Sequence, residues 1–161
     1  MLENAEGLIT PLPGNCYLPT LRQVVAGAKY SVDVIQYQWN FLPHEPGDPL
    51  QQFNQGVIAQ IRQGIKYRVL LNIENITHKI TRINQGAERY LTAVGAKVKF
   101  GPARIITHSK IFIIDDQFII LGSHNLSKSS VSQNDETSVL INSRPVVAEY
   151  RRYFDLLWAR T

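Results

Sequence analysis

The run HSKIFIIDDQFIILGSHN, from His108 to Asn125, decides how this chain is read. It sets His108, Lys110, Asp115, Gly122, Ser123 and Asn125 in one composite spacing, H-x-K-x4-D-x6-G-S-x-N. Six defined residues at fixed spacing arise by chance on the order of 1e-8 times per starting position at ordinary residue frequencies. Thr107 to Ile114 and Phe118 to Leu121 are rich in Ile and Phe, with Asp115, Asp116 and Gln117 between them as turn formers. The run therefore predicts a β-hairpin. Strand side chains alternate faces, so His108 and Lys110 project from one side, as do Ser123 and Asn125 if the backbone stays extended past Gly122. Gly122, lacking a Cβ, suits a point where the backbone bends or closely approaches a ligand.

These residue types fit a phosphodiester. A histidine attacks phosphorus through one ring nitrogen when an acceptor holds the other, fixing the tautomer and stabilising developing charge. Glu136, just ahead of the apolar run Ser138 to Ile141, is a candidate acceptor, and Asp135 competes with it. Lys110 supplies a compact positive charge and Asn125 an amide donor for the non-bridging oxygens, and Ser123 can add a hydroxyl. Asp115 lies five residues past Lys110, about 16 Å along an extended chain, and reads as a turn anchor. His124 falls between Ser123 and Asn125 and should point to the opposite face. His44, in LPHEPGDP, and the pair His78-Lys79 read as solvated loop and helix-start residues.

The pattern resembles that of the phospholipase D superfamily, whose members break phosphodiester bonds through a histidine. In that family an acidic residue downstream of the asparagine orients the histidine, which is what the resemblance implies for Glu136. The chain contains the pattern once. Cleavage through a phosphohistidine needs a nucleophile and a general acid for the leaving oxygen. Larger relatives carry two copies in one chain, and small single-copy members pair two chains. The resemblance thus implies a homodimer in which two copies of His108 meet at a two-fold axis.

The rest of the sequence predicts an α/β domain spanning 1–161, a mixed central sheet sandwiched between helices, the phospholipase D-like fold that the resemblance also implies. Strands are expected at Gly7 to Leu12, Ser31 to Phe41, Lys66 to Ile73, Lys97 to Phe100 and Asp135 to Ile141, besides the hairpin. Helices are expected at Leu18 to Ala28, Pro49 to Gly64, Thr77 to Val94 and Pro145 to Trp158. Ser127 to Asn134 reads as a mobile loop beside the site, with Lys128 a candidate phosphate contact. In VIQYQWNF, Tyr37 and Trp39 share one face, as a core pair or as a platform for nucleobases.

The 161 residues are 44% apolar, enough for one sizeable core, and 17 Lys and Arg against 13 Asp and Glu give a net charge of +4. The tilt favours a polyanion such as nucleic acid over small anions. No cluster of carboxylates, cysteines or histidines has ligand spacing, so neither metal nor other cofactor is expected. Cys16 is the only cysteine, which excludes an internal disulfide. The start, MLENAEGLI, reads as no secretory leader, and no long apolar span predicts membrane insertion. Localisation stays open. The expected function is a metal-independent nuclease working through a phosphohistidine. A phospholipase or phosphatidyl transferase, and a nucleic-acid-binding module that does not cleave, are the alternatives.

Overall fold

The computed structural model describes residues 6–41, 47–75, 77–102 and 104–161. Seven strands form one mixed sheet: β1 (Leu8–Pro13), β2 (Ser31–Gln36), β3 (Lys66–Leu71), β4 (Lys97–Phe100), β5 (Ile111–Ile114), β6 (Phe118–Gly122) and β7 (Thr137–Asn142). Their spatial order is β1-β7-β6-β5-β2-β3-β4. The β2, β3 and β4 strands run parallel, while every other neighbouring pair is antiparallel. The helices are α1 (Tyr17–Ala26), α2 (Pro49–Arg62), α3 (Lys79–Ala93), α4 (Lys128–Ser132) and α5 (Arg144–Ala159).

The alternation of side chains along the strands divides the core in two. Val32, Val34, Val69, Leu71, Phe112 and Ile120 pack with residues of α1, α2 and α3. Ile35, Leu70, Ile111, Ile113 and Ile119 pack instead against Val147 and Phe154 of α5. The sheet is thus covered on both faces, as expected for a mixed sheet between helical layers. Asp33 is buried on the α5 side and paired with Arg68 at 2.7 Å and with Arg151, so that charge is compensated within the fold.

Local chemistry accounts for most of the boundaries. Asp48 caps α2, accepting from the amides of Leu50 and Gln51, and Pro49 opens its first turn. Gly95 takes φ +106 after α3, a left-handed conformation that halts the helix. No helix among the described residues is long and apolar enough to cross a membrane.

Three expected elements differ. The β2 strand stops at Gln36 rather than running to Phe41, because the next residues leave the sheet and bond elsewhere. Leu126 donates to Gln38 O at 3.0 Å, Asn40 donates to Leu126 O at 2.7 Å, and Trp39 donates its amide to Asn84 Oδ1. The first hairpin strand begins at Ile111 rather than Thr107, which leaves His108 and Lys110 on the segment that leads into β5. Within Ser127 to Asn134, expected as a loop, residues 128–132 form α4. Ser127 caps it by accepting from the Ser130 amide, a signal hidden in a serine-rich stretch. His44 lies outside the described residues.

Candidate active site

One edge of the sheet gathers the chemistry. The C-terminal ends of β1, β2, β3, β4 and β6 and the N-terminal ends of β5 and β7 all face the same way, because the parallel and antiparallel pairings fix their directions. Tyr37 follows β2, Asn72 and Glu74 follow β3, His108 and Lys110 precede β5, Ser123 and Asn125 follow β6, and Glu136 precedes β7. His108, Lys110, Gly122, Ser123, Asn125 and Glu136 line one open cleft of about 450 Å³.

His108 is exposed, whereas Lys110 is only 7% exposed. The Lys110 ammonium donates to His108 O at 2.6 Å and lies 3.1 Å from His108 Nδ1. It also stands 5.1 Å from the centroid of the Tyr37 ring, which packs on the His108 ring at 4.7 Å. An ammonium only donates, so Nδ1 accepts and the neutral ring carries its proton on Nε2. Partial burial, and then the Lys110 charge, hold the His108 pKa below its ordinary value of 6.5. Burial also lowers Lys110, with Glu136 pulling the other way.

Glu136 faces the cleft and Asp135 is exposed to solvent. The Glu136 carboxylate does not sit on His108, as expected from the sequence, because three other donors claim it. The Ser123 hydroxyl donates to one oxygen, while Ser130 Oγ at 2.8 Å and Asn134 Nδ2 at 3.2 Å donate to the other. Burial raises the Glu136 pKa, but these hydrogen bonds outweigh it and hold the group below the ordinary carboxylate value. Ser123 also accepts from the Thr137 amide at 3.0 Å, so its hydroxyl ties Glu136 to the start of β7 at the cleft wall. Asn125 lines the cleft, and its buried Oδ1 takes no hydrogen-bond partner among the described residues.

Asp115 stands away from the cleft, at the turn between β5 and β6. Its carboxylate accepts from the amides of Lys29, Tyr30 and Ser31, each at 2.9 Å, and its own φ is +49. It therefore ties the turn to the start of β2. At Gly122 a Cβ would lie 2.2 Å from Ser138 Oγ and 2.4 Å from Thr137 O. The close approach this glycine permits is to β7 rather than to a ligand. His124 points away, as alternation requires: it is buried, stacked on Tyr17 at 4.1 Å, and 2.8 Å from Ser138 Oγ. His78 sits at the N-cap of α3, 3.5 Å from Glu74.

The aromatic pair of the sequence separates. Trp39 is buried and donates through Nε1 to Asn54 Oδ1 at 2.8 Å, while Tyr37 stays beside His108. Sequence reasoning missed Ser130, Asn72 and Glu74. The last two follow a parallel strand directly, a position where sites collect in α/β sheets, and that was the available signal.

Known proteins share both the sequence pattern and the architecture. A family model described as "Cardiolipin synthase, PLD-like domain" matches residues 21–158. A phospholipase D of Rickettsia prowazekii is 32% identical over 94 residues, 57% of this chain and 42% of that protein. The human 5'-3' exonuclease PLD4 is 24% identical over 143 residues, 84% of this chain and 28% of that protein. The chain thus spans less than half the length of either relative. The crystal structure of Nuc from Salmonella typhimurium, a phospholipase D family member, superposes with a TM-score of 0.79 at 17% identity, covering 96% of each chain. Six of the seven strands and every described residue that lines the His108 cleft lie within the family match, and the chain belongs to the phospholipase D superfamily.

Proposed function

We propose that this protein is a phosphodiesterase that cleaves nucleic acid through a covalent phosphohistidine. The observation that carries the proposal is the gathering of His108, Lys110 and Asn125 around one solvent-open cleft. An exonuclease among the relatives, and a net charge of +4, favour nucleic acid as the substrate class.

In this reading His108 Nε2 attacks phosphorus once its proton has moved to Nδ1, and the bond from phosphorus to the leaving oxygen breaks. Lys110 turns from His108 to a non-bridging oxygen, and Asn125 donates to a second. The leaving oxygen takes a proton from a second imidazolium. Among the described residues one chain brings a single histidine to the cleft, so in this reading that acid is His108 of a second copy in a homodimer. Water then attacks the phosphohistidine, the N–P bond breaks, and a phosphate monoester leaves. Neutralisation by Lys110 takes the place of a metal ion, and no cofactor enters the scheme.

The test is incubation with plasmid, single-stranded DNA, RNA and phosphatidylcholine vesicles in EDTA, beside His108→Ala. Cleavage of a nucleic acid by the parent alone supports the reading. Turnover of the vesicles only would install a phospholipase in its place, and binding without cleavage would leave a binding module. Cleavage retained by His108→Ala would remove the proposed nucleophile.

A further inference from the structure

Glu74 lies outside the sequence pattern, yet two separate paths of contacts lead from its carboxylate to His108. Its Oε1 accepts from the Tyr37 hydroxyl at 3.2 Å, and the Tyr37 ring packs on the His108 ring at 4.7 Å. The same oxygen accepts from Asn72 Nδ2 at 3.1 Å, and Asn72 Oδ1 accepts from the amide of Thr107, the residue before His108, at 2.8 Å. One path thus ends on the side chain of the histidine and the other on its backbone. The hub is itself fixed, because the Glu74 amide donates to the hydroxyl of Thr81, which is fully buried on α3.

The lysine is held by the same device. The Lys110 ammonium has three donors, and the structure gives it three electron-rich neighbours: His108 O, His108 Nδ1 and the face of the Tyr37 ring. An aromatic face holds an ammonium less firmly than an anion does, so the ring keeps the charge aimed without competing with a phosphoryl oxygen. A carboxylate bonded to the phenol makes that face more electron-rich. The other Glu74 carboxylate oxygen lies 3.5 Å from His78 Nε2 at the start of α3, so the hub is anchored on the side away from Tyr37 and Asn72 as well.

We infer that Glu74 is a positioning residue that sets the orientation of His108 through Tyr37 and Asn72, and through Tyr37 the aim of Lys110. This rests on the reading of His108 and Lys110 as the pair that engages phosphorus. Ring orientation matters for attack because small displacements of a reacting atom cost large factors in rate. Glu74 and Tyr37 orient the reacting groups without lining the cleft that receives substrate, so the effect falls on kcat rather than on KM.

The experiment uses bis(4-nitrophenyl) phosphate, a phosphodiester that presents neither nucleobase nor acyl chain. Glu74→Ala is expected to lower kcat by about tenfold or more while KM moves by less than about threefold. Glu74→Gln, which keeps an acceptor, is expected to recover most of the loss. Tyr37→Phe is expected to lower kcat alone and to add little in the Glu74→Ala background, because both changes cut the same path. A folded Glu74→Ala protein with kcat within twofold of the parent, or additive losses in the double variant, would overturn the inference. An arm without turnover keeps it separate from the catalytic reading: the imidazole 15N signals of His108 in the substrate-free protein. One dominant neutral tautomer, protonated at Nε2, is expected in the parent, with averaging toward both tautomers in Glu74→Ala. Identical signals in the two proteins would overturn the positioning role even if the parent cleaved nothing, an outcome that would by itself sink only the phosphodiesterase reading.

Discussion

The Ser130 hydroxyl donates to the Glu136 carboxylate at 2.8 Å, and so joins the short helix α4 to the head of β7. The same oxygen accepts from the Asn125 amide at 2.8 Å. One buried serine therefore sets two residues of the cleft. Ser130→Ala is expected to cost about 1 to 3 kcal/mol, because it leaves a backbone donor and a carboxylate each short of a partner. Urea denaturation measures that loss. Ser130→Thr, which keeps the hydroxyl, should restore cleavage more fully than stability if the added methyl crowds the site.

Asp115→Ala should separate fold from chemistry. Three backbone amides lose their acceptor, at an expected cost of about 2 to 4 kcal/mol. The denaturation midpoint falls with an unchanged slope, while kcat/KM of the folded protein stays within about threefold of the parent. A selective loss of turnover at full stability would place Asp115 in the catalytic apparatus instead.

Gly122→Ala meets backbone as well as a side chain, with Ser138 Cα and Thr137 O each 2.4 Å from the new Cβ beside Ser138 Oγ at 2.2 Å. The β6 and β7 strands must part there, which displaces Ser123 and Asn125. Expected are a loss of about 2 kcal/mol or more and a fall in kcat/KM measurable even under conditions where the variant is fully folded.

Two groups give the pH dependence opposite uses. His108 has its pKa lowered, so with His108 as the proposed nucleophile the acid limb of kcat/KM should fall below 6.5. A limb centred above 6.5 would contradict this. Glu136 also has a lowered pKa, so its stabilising contribution is complete above its ordinary value of 4.5 and fades as pH falls through the folded value. Glu136→Gln should therefore flatten the acid side of the stability profile, followed by thermal melts from pH 6 downward.

The proposed pairing of two copies makes assembly measurable. Light scattering of the active protein should return twice the chain mass, and dilution to monomer should abolish turnover before it unfolds the chain. An active strict monomer would contradict the second-histidine scheme.

Much of this arrangement is legible in residue order. Alternation alone sends His124 inward, where it stacks on Tyr17, and leaves His108 and Lys110 together. The four long helices and the register of the hairpin follow from apolar spacing and turn residues. Contacts that depend on which distant donors reach a group first do not. Glu136 is claimed by Ser123, Ser130 and Asn134, and nothing in its immediate sequence announces that competition. Tyr37 and Trp39 parted because the backbone left the sheet at Gln36, a change forced by bonding to Leu126. Serines hid α4, since the residues that favour loops also cap helices.

The edge strand β1 pairs with β7 from Leu8↔Asn142 to Pro13↔Thr137, almost the full length of the chain apart. Directly beyond it, the Gly14 amide donates to Glu136 O at 2.9 Å, and Gly14 O lies 3.2 Å from His124 Nε2. Bringing such distant segments together carries the greatest loop-closure cost in the sheet, whereas the β5 and β6 hairpin closes locally. The hairpin that follows His108 and Lys110 thus closes over a short loop, whereas the wall that carries Glu136 is completed by segments distant in sequence. A chain with β1 undocked would keep the His108 and Lys110 contacts of the hairpin while losing the Gly14 bond to the Glu136 backbone, so the cleft's completion is coupled to the docking of an edge strand.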